Sequence, residues 1–520
     1  MPSTLHRPAP DATGVSRRTL LGVAGLSATT LALGVEAPAS AGGPPPRTNP
    51  FTLGVAAGTP GPDSMVLWTR LATDPLAADG HGGMPSHPVP VHWEVARDAD
   101  FTRRVAHGHA LAQPELAHSV HPQVTGLEPA TEYHYRFRTG RHTSPAGRFR
   151  TLPAAGAEVA SFSLGVASCQ AWYHGHFTAW KHLAAEADLD LIVFTGDYIY
   201  EYGIRSGDNL WRQGVELGPE HGQEVQTLAQ YRLRYSLFKT DPHLQAAHAR
   251  AAMVATWDDH EVENNYAGSQ SQYGLSEEDF LLRRAVAYRA YYENLPLGPA
   301  ALPEGPHSRI HHSLDVGRLA RLSVLDTRQF RDPVPQDEQR VADPERSILG
   351  AAQEAWLTER LRTSPAQWNL LADGVAMVPV TDDRVDQWDG FPAARQRLMD
   401  QLARVSNPVV LTGDIHHHAA AELWADPTAP APEAEPVAVE LICSSIASDG
   451  DGKPGGHPDW TAHPYVRAMD ARRGYVHVTL TPQEMRSRFV VVPWVEADDT
   501  APARTAFAFR TPAGSRRLLS

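Results

Sequence analysis

The chain has 520 residues, 42% of them hydrophobic and 20% charged, which is enough for two to four domains around a large core. Its formal net charge of -14 argues against wholesale binding to nucleic acid or to an anionic membrane, and we expect no sequence-specific nucleic-acid binding. An anionic substrate is still compatible with this charge, because bound cations can reverse the local field.

The first 41 residues have the pattern of an export signal. Ser16-Arg17-Arg18-Thr19-Leu20-Leu21 is a twin-arginine motif, and a short apolar stretch then leads to Ala39-Ser40-Ala41, an A-x-A cleavage site. The alternative, a basic patch before a membrane anchor, fits less well because the stretch is too short to span a bilayer. We therefore predict a signal peptide over residues 1–41, export by the twin-arginine machinery and no transmembrane anchor. The expected location is secreted or cell-wall associated.

Residues 51–153, which follow a Gly/Pro-rich linker over residues 42–50, have the pattern of a β-sandwich. Apolar and polar residues alternate in three runs, 64–70, 89–95 and 131–138. Turn residues separate these runs at intervals typical of sandwiches. The stretch 126–133 resembles the tyrosine corner of fibronectin type III domains. We predict an immunoglobulin- or fibronectin-III-like β-sandwich of normal domain size.

From about residue 160 to residue 500, short buried strands alternate with helical patterns, which is typical of a layered α/β domain. Helices are predicted over five ranges, 177–187, 228–238, 277–293, 351–362 and 393–405. The polar, Gly-rich stretch 203–226 is predicted to form a loop over the site. Residues 501–520 are predicted to form a C-terminal tail.

Four short apolar runs in this region each stop at residues that can bind a metal. The runs are followed by Cys169, by Asp197, by Asp258-Asp259-His260 and by Asp414-Ile415-His416. Such runs are typical of strands buried on both faces, and open α/β sheets bind ligands just beyond the carboxyl ends of their strands. The sequence therefore predicts that distant segments bring carboxylates, imidazoles and a thiol to one metal site. Cys443, the second cysteine, is interpreted as a buried thiol, with a disulfide to Cys169 as the alternative.

The motif Gly196-Asp197-Tyr198-Ile199-Tyr200 indicates the chemistry of one metal. A carboxylate at Asp197 can bridge two cations, and Tyr200 lies three residues further on, within reach of the same metal. A phenolate ligand favours ferric iron over zinc. The alternative is a surface aspartate beside a packed tyrosine.

The remaining motifs add further ligands. Two acids and an imidazole in Asp258-Asp259-His260 would destabilise one another without a cation, and the alternative, a helix N-cap, explains only one of the acids. Asn264 offers a neutral oxygen of the kind that calcium takes. If residues 414–418 are extended, the aspartate and the first and third histidines share a face; a tag-like surface tract is the alternative.

The order of these motifs along the chain resembles the calcineurin-like metallophosphatases, and most closely the PhoD-type alkaline phosphatases. This resemblance implies a four-layer α/β sandwich of two mixed sheets flanked by helices, preceded by the N-terminal β-sandwich. It also implies Fe3+ and Ca2+ as cofactors. The implied Fe3+ ligands are Cys169, Asp197, Tyr200 and His416. The implied Ca2+ ligands are Asp197 as a bridge, Asp259 and Asp414, with Asn264 serving calcium or phosphate.

In two segments, the roles of the residues are open. It implies that Arg328 contacts phosphate, whereas the alternative for Arg328 is a structural ion pair with Asp326 or Asp332. Family members often carry an amide ligand where this chain has Gly374, and Asp373 is the candidate substitute.

The function implied by the resemblance is hydrolysis of phosphomonoesters and phosphodiesters by a secreted phosphoesterase. A metal-activated hydroxide would attack phosphorus, and His260 would protonate the leaving oxygen. The expected substrates are small phosphoesters, with phospholipids or teichoic acids as further candidates. The alternatives are a calcium-dependent phospholipase D of the same family and a non-enzymatic, calcium-stabilised protein that binds wall polymers.

Overall fold

The computed structural model describes residues 42–335, 338–380, 386–426 and 435–520, all of which belong to one compact unit, Gly34–Ser520. The predicted signal peptide over residues 1–41 lies outside the described residues. Across the described ranges, no helix has both the length and the apolar character that a membrane span requires.

The secondary structure of the described residues begins with short strands and continues with strands and helices in alternation. The N-terminal strands are β1 (Val55–Gly58), β2 (Met65–Arg70), β3 (Val89–Ala96), β4 (Arg104–Ala112), β5 (Ser119–Val120), β6 (Gln123–Val124), β7 (Glu132–Thr139), β8 (His142–Thr143) and β9 (Gly147–Arg150). The later strands are β10 (Phe162–Ala167), β11 (Leu191–Thr195), β12 (Ala252–Thr256), β13 (His312–Val316), β14 (Ala320–Val324), β15 (Trp368–Ala372), β16 (Pro408–Thr412), β17 (His418–Leu423), β18 (Ala438–Ile442), β19 (Val466–Asp470), β20 (Arg473–Leu480), β21 (Glu484–Val492) and β22 (Arg504–Pro512). The α-helices are α1 (Thr178–Ala184), α2 (Leu228–Lys239), α3 (Pro242–Arg250), α4 (Glu277–Asn294), α5 (Glu338–Val341), α6 (Gly350–Arg362), α7 (Pro392–Leu402) and α8 (Pro458–Thr461).

Two mixed sheets form the centre of the molecule. In the first sheet the strand order is β22-β21-β20-β10-β11-β12-β1-β2-β5, and β6 also pairs with β2. In the second sheet the order is β13-β14-β15-β16-β18-β17-β19. Strands β10, β11 and β12 are parallel, as are β14, β15, β16 and β18, so their carboxyl ends lie at one edge of each sheet.

The layers follow from the burial of these strands. Every residue of β10, β11, β12 and β16 is buried, as expected for strands covered on both faces. One apolar cluster joins the two sheets, for example Leu164 and Leu191 with Leu322 and Leu370. Separate clusters pack α1 to α4 against the first sheet, and α6 and α7 against the second. The predicted four-layer α/β sandwich is confirmed.

The N-terminal β-sandwich shares a sheet with the α/β region that follows it. Strands β3, β4, β7, β8 and β9 form a third sheet, whereas β1, β2, β5 and β6 extend the first sheet beyond β12. At the junction Gly58 pairs with Met253, and a Cβ on Gly58 would lie only 2.8 Å from the Met253 carbonyl oxygen. The predicted tyrosine corner is present, because the hydroxyl of Tyr133 accepts a hydrogen bond from the backbone N–H of Glu128 at 2.9 Å.

The five predicted helices are confirmed to within a few residues as α1, α2, α4, α6 and α7. The prediction of a tail over residues 501–520 needs correction, because β22 occupies part of this range. This strand pairs with β21. The ring of Phe507 packs on the ring of Phe489 in β21, with centroids 4.4 Å apart, which helps to hold this segment in the sheet. Both cysteines are buried free thiols, which excludes the disulfide alternative.

Candidate metal centre

The predicted site forms where the carboxyl ends of four strands meet. Cys169 follows β10, Asp197 follows β11, Asp259 follows β12, and Asp414 follows β16. The backbone turns sharply at these ends: φ is +54° at Cys169, +62° at Asp197 and +66° at Asp414. Non-glycine residues rarely adopt positive φ, and such strain concentrates at functional sites because it aims side chains.

One group of ligand atoms joins three of the predicted iron ligands. The ligand atoms of Cys169, Asp197 and His416 all lie within 4.8 Å of one another. The fourth predicted ligand, Tyr200, is in the same place: its hydroxyl donates to Asp197 Oδ2 at 2.8 Å and lies 3.0 Å from His416 Nε2. The serine hydroxyl of Ser448 also donates to the Tyr200 oxygen, at 2.8 Å.

A second group shares Asp197 with the first. The ligand atoms of Asp197, Asp259 and His260 also lie within 4.8 Å of one another. Asp197 therefore lies between the two groups, where a bridging carboxylate would be. Its Oδ1 atom is buried and has no hydrogen-bond partner among the residues that the structure describes.

The electrostatics of the site indicate that cations belong there. Burial raises the pKa of Asp197 well above its usual value, and the carboxylates of Asp259 and Asp258 raise it further. Burial likewise raises the pKa of the Cys169 thiol, with Asp197 adding to the effect. A thiol, carboxylates, a phenol and an imidazole with one orphaned carboxylate oxygen are a donor set that fits metal ions.

Asp414 and Asn264 border the second group. Burial raises the pKa of Asp414 to about 7, helped by the carboxylates of Asp258 and Asp259, and the amide of Gln387 donates to its Oδ2. Asn264 is fixed by its backbone N–H, which donates to Glu201 Oε1 at 3.0 Å. Calcium ligation by these two residues stays a prediction.

His260 is held by a carboxylate that the sequence analysis missed. Its Nδ1 lies 2.7 Å from Oε2 of Glu201, whose side chain is fully buried. Burial alone would lower the pKa of His260, but the charges of Asp259 and Glu201 raise it well above its usual value. These charges favour the protonated imidazole, which is the state that a proton donor needs. A local signal existed, since Glu201 directly follows Tyr200.

Asp449 plays the corresponding part for His416. Its Oδ2 lies 2.8 Å from His416 Nδ1, so the other ring nitrogen, Nε2, faces Tyr200. A carboxylate hydrogen-bonded to the other ring nitrogen orients a ligand histidine and increases its basicity. Asp449 itself has a φ of +66°, and its N–H donates to His174 Nδ1 at 3.0 Å.

The structure favours the ion-pair alternative for Arg328. Its side chain is wholly buried, and its guanidinium donates to both oxygens of Asp258, at 2.6 and 3.0 Å. It also pairs with Asp386 at 2.7 Å. The predicted partners were wrong. From Arg328, Asp326 accepts only the backbone N–H, whereas Asp332 accepts the backbone N–H of Ser347. Asp258 is consequently paired with a buried arginine, and it belongs to neither group of candidate metal ligands described above.

The extended geometry expected for residues 414–418 needs correction. The segment around Asp414 and His416 is not extended, because both residues have positive φ, and His418 instead belongs to β17, where its Nδ1 accepts the N–H of Ser444. Gly374 cannot gain a side chain without displacing Asp258, whose Oδ1 would lie 2.6 Å from a Cβ there.

Asp373 is buried beside Glu440 rather than grouped with the candidate ligands. Burial raises the pKa of Asp373 well above its usual value, and the Glu440 carboxylate raises it further. Its role as a substitute ligand stays a prediction.

The comparisons with known proteins agree with this geometry. The profile of the PhoD-like phosphatase family matches residues 164–489, and the profile of the N-terminal domain of PhoD-like phosphatases matches residues 37–153. Alkaline phosphatase D of Bacillus subtilis (strain 168) is 41% identical over 522 residues, which cover 96% of this chain and 87% of that protein.

Solved structures give the same result. A structure of PhoD is similar with a TM-score of 0.85 and 40% identity, covering 92% of this chain and 94% of that chain. A purple acid phosphatase from yellow lupin (Lupinus luteus) seeds shares the fold, with a TM-score of 0.54 and 12% identity over 88% of this chain and 73% of that chain. This chain therefore belongs to the PhoD-like phosphatase family and is a phosphoric ester hydrolase.

Proposed function

We propose that this protein is an exported phosphoesterase that hydrolyses phosphomonoesters and phosphodiesters with Fe3+ and Ca2+. The observation that carries the proposal is the position of Asp197, whose carboxylate belongs to both groups of ligand atoms and whose Oδ1 has no other described partner. A buried carboxylate shared in this way is suited to joining two cations.

The donor types suggest how the cations are distributed. Cys169, Asp197, Tyr200 and His416 would hold Fe3+, because thiolate and phenolate ligands suit that ion better than calcium. Oxygen donors on the other side of Asp197 would hold Ca2+, namely Asp259, Asp414 and Asn264. Bound cations would lower the pKa of a water molecule and neutralise charge on the phosphate oxygens.

The chain itself supplies the proton for the leaving group. Because Nδ1 of His260 faces Glu201, Nε2 is the atom that would donate a proton to the departing alkoxide. Glu201 is a positioning residue, since it fixes the ring and stabilises its charge. The ring of Tyr200 packs on the ring of His260, with centroids 4.2 Å apart, and further restricts its orientation.

The test compares the wild-type holoenzyme with Asp197→Ala. We expect the variant to lose bound metal and to lose hydrolysis of both p-nitrophenyl phosphate and bis-p-nitrophenyl phosphate. Asp459→Asn, a change at an exposed aspartate beside His457, is the control and should keep metal and activity. Retention of metal and activity in Asp197→Ala would show that the assignment is wrong. Release of choline from phosphatidylcholine in preference to both nitrophenyl esters would favour a phospholipase D.

Export is proposed from the twin-arginine motif, which lies outside the described residues. We expect replacement of Arg17 and Arg18 by lysine to leave the enzyme inside its own host, with loss of activity from the culture medium and wall fraction. Unchanged secretion of the double variant would contradict this route.

A further inference from the structure

A third group of potential metal ligands lies away from the catalytic centre, and the proposed function does not use it. Its members are Glu186 and Asp188, in the connection between α1 and β11, and His477 in β20. Asp188 precedes β11, whereas Asp197 follows the same strand. The group is therefore displaced toward the amino end of β11, the end opposite the catalytic centre.

The ligand atoms of the group lie near enough to one another for a metal ion to contact all three. One ligand atom from each residue lies within 4.8 Å of the others, and Nε2 of His477 lies 3.7 Å from Asp188 Oδ1. In a tetrahedral zinc site with bonds of about 2.0–2.1 Å, ligand atoms are roughly 3.3 Å apart. A contraction of a few tenths of an ångström between His477 and Asp188 would give this spacing.

The imidazole of His477 is the independent evidence for a ligand. The residue is 3% exposed, and its Nε2 atom has no hydrogen-bond partner among the residues that the structure describes. A buried polar atom without a partner costs free energy, so such an atom calls for an explanation. Burial also lowers the pKa of His477, which keeps the ring neutral and able to bind a metal.

Of the other two residues, Glu186 is held by hydrogen bonds and Asp188 is exposed to solvent. Glu186 is oriented by the Tyr475 hydroxyl at 2.7 Å and by Arg488 Nη2, which lies 2.9 Å from both carboxylate oxygens. Carboxylates that bind metals are themselves hydrogen-bonded, so these contacts are compatible with a ligand role for Glu186. The side chain of Asp188 is 65% exposed, which gives an ion a path from solvent. Arg488 neutralises one carboxylate, and the remaining negative charge still attracts a dication.

We propose that Glu186, Asp188 and His477 bind a divalent transition metal of the zinc type, with water completing its coordination. An imidazole with two carboxylates suits zinc, whereas calcium prefers six to eight oxygen ligands. The ion would tie the connection before β11 to β20 and stabilise the first sheet without taking part in hydrolysis. A zinc ion bound only to the folded state raises the unfolding temperature.

The test measures zinc bound by the holoenzyme in equilibrium dialysis, together with its thermal unfolding. We expect Asp188→Asn to bind one equivalent of zinc fewer than wild type, or to bind that equivalent with an affinity lower by roughly 10- to 100-fold or more. Zinc should raise the unfolding temperature of the wild type and not that of the variant. Phosphatase activity should be equal in both.

Two variants separate this site from the catalytic centre and from surface binding. Asp197→Ala should retain the additional zinc although its catalytic metals are lost, and Asp459→Asn should behave as wild type because the exposed His457–Asp459 pair has no buried imidazole. His477→Gln should reproduce Asp188→Asn; if it does not fold, Asp188→Asn alone decides. Equal zinc stoichiometry, affinity and thermal shift in wild type and Asp188→Asn would overturn the proposal.

Discussion

The interaction between Glu201 and His260 gives the most specific prediction about catalysis. Glu201→Gln keeps the shape of the side chain and one acceptor oxygen but removes the charge that faces His260 Nδ1 at 2.7 Å. A hydrogen bond to a charged group contributes about 1.5–3 kcal/mol. If this stabilisation supports proton donation in the transition state, the loss corresponds to a decrease of roughly 10- to 150-fold in kcat.

The leaving group distinguishes this effect from general damage to the site. Nitrophenolate leaves without protonation, whereas the alkoxide of an alkyl phosphate such as β-glycerol phosphate needs a proton. We therefore expect kcat for β-glycerol phosphate to fall by the full factor and kcat for p-nitrophenyl phosphate to change little. Glu422→Gln is the matched control, because Glu422 is another buried carboxylate paired with an arginine, Arg467, outside the site. Equal losses on both substrates, or no loss on either, would refute the role of Glu201 and His260.

The other predictions concern residues around the centre. Arg328→Met should lower the unfolding temperature of the metal-free protein, because it leaves Asp258 buried without its partner, a loss of about 3–5 kcal/mol; an unchanged unfolding temperature with a raised KM would instead indicate phosphate contact. Gly374→Asn should destabilise the protein by about 1–3 kcal/mol rather than add a ligand, because its Cβ would meet Asp258; a gain in calcium affinity would contradict this. Asp449→Asn should weaken metal retention by roughly 10- to 100-fold through His416, as measured by competition with a chelator; unchanged retention would show that Asp449 does not orient the ligand.

The location of the site could be predicted because the end of a buried strand is marked by a local sequence pattern. A continuous apolar run indicates a strand buried on both faces, and the next residue marks the carboxyl end of that strand. This reasoning was sufficient for Cys169, Asp197 and Asp259. It was not sufficient for the backbone between Asp414 and His416, because strained positive-φ turns depend on tertiary contacts rather than on local propensity.

Partners at long range could not be predicted in the same way. The guanidinium of Arg328 pairs with Asp258, which is 70 positions away in the sequence, and not with Asp326 or Asp332, which are near in sequence. Nothing in the local pattern distinguishes these acids, because the choice depends on which strand ends meet. The same limit explains why the addition of β1 to the first sheet was missed, since the register between distant strands is not visible in the alternation of each strand alone.

The metal content and visible spectrum of the holoenzyme, purified from its own host, test the central claim most directly. If Cys169, Asp197, Tyr200 and His416 jointly hold Fe3+, the protein should contain iron and show a charge-transfer band that changes in Tyr200→Phe and in Cys169→Ser. Asp459→Asn should leave the band unchanged. A colourless, iron-free protein with full phosphatase activity would contradict the account.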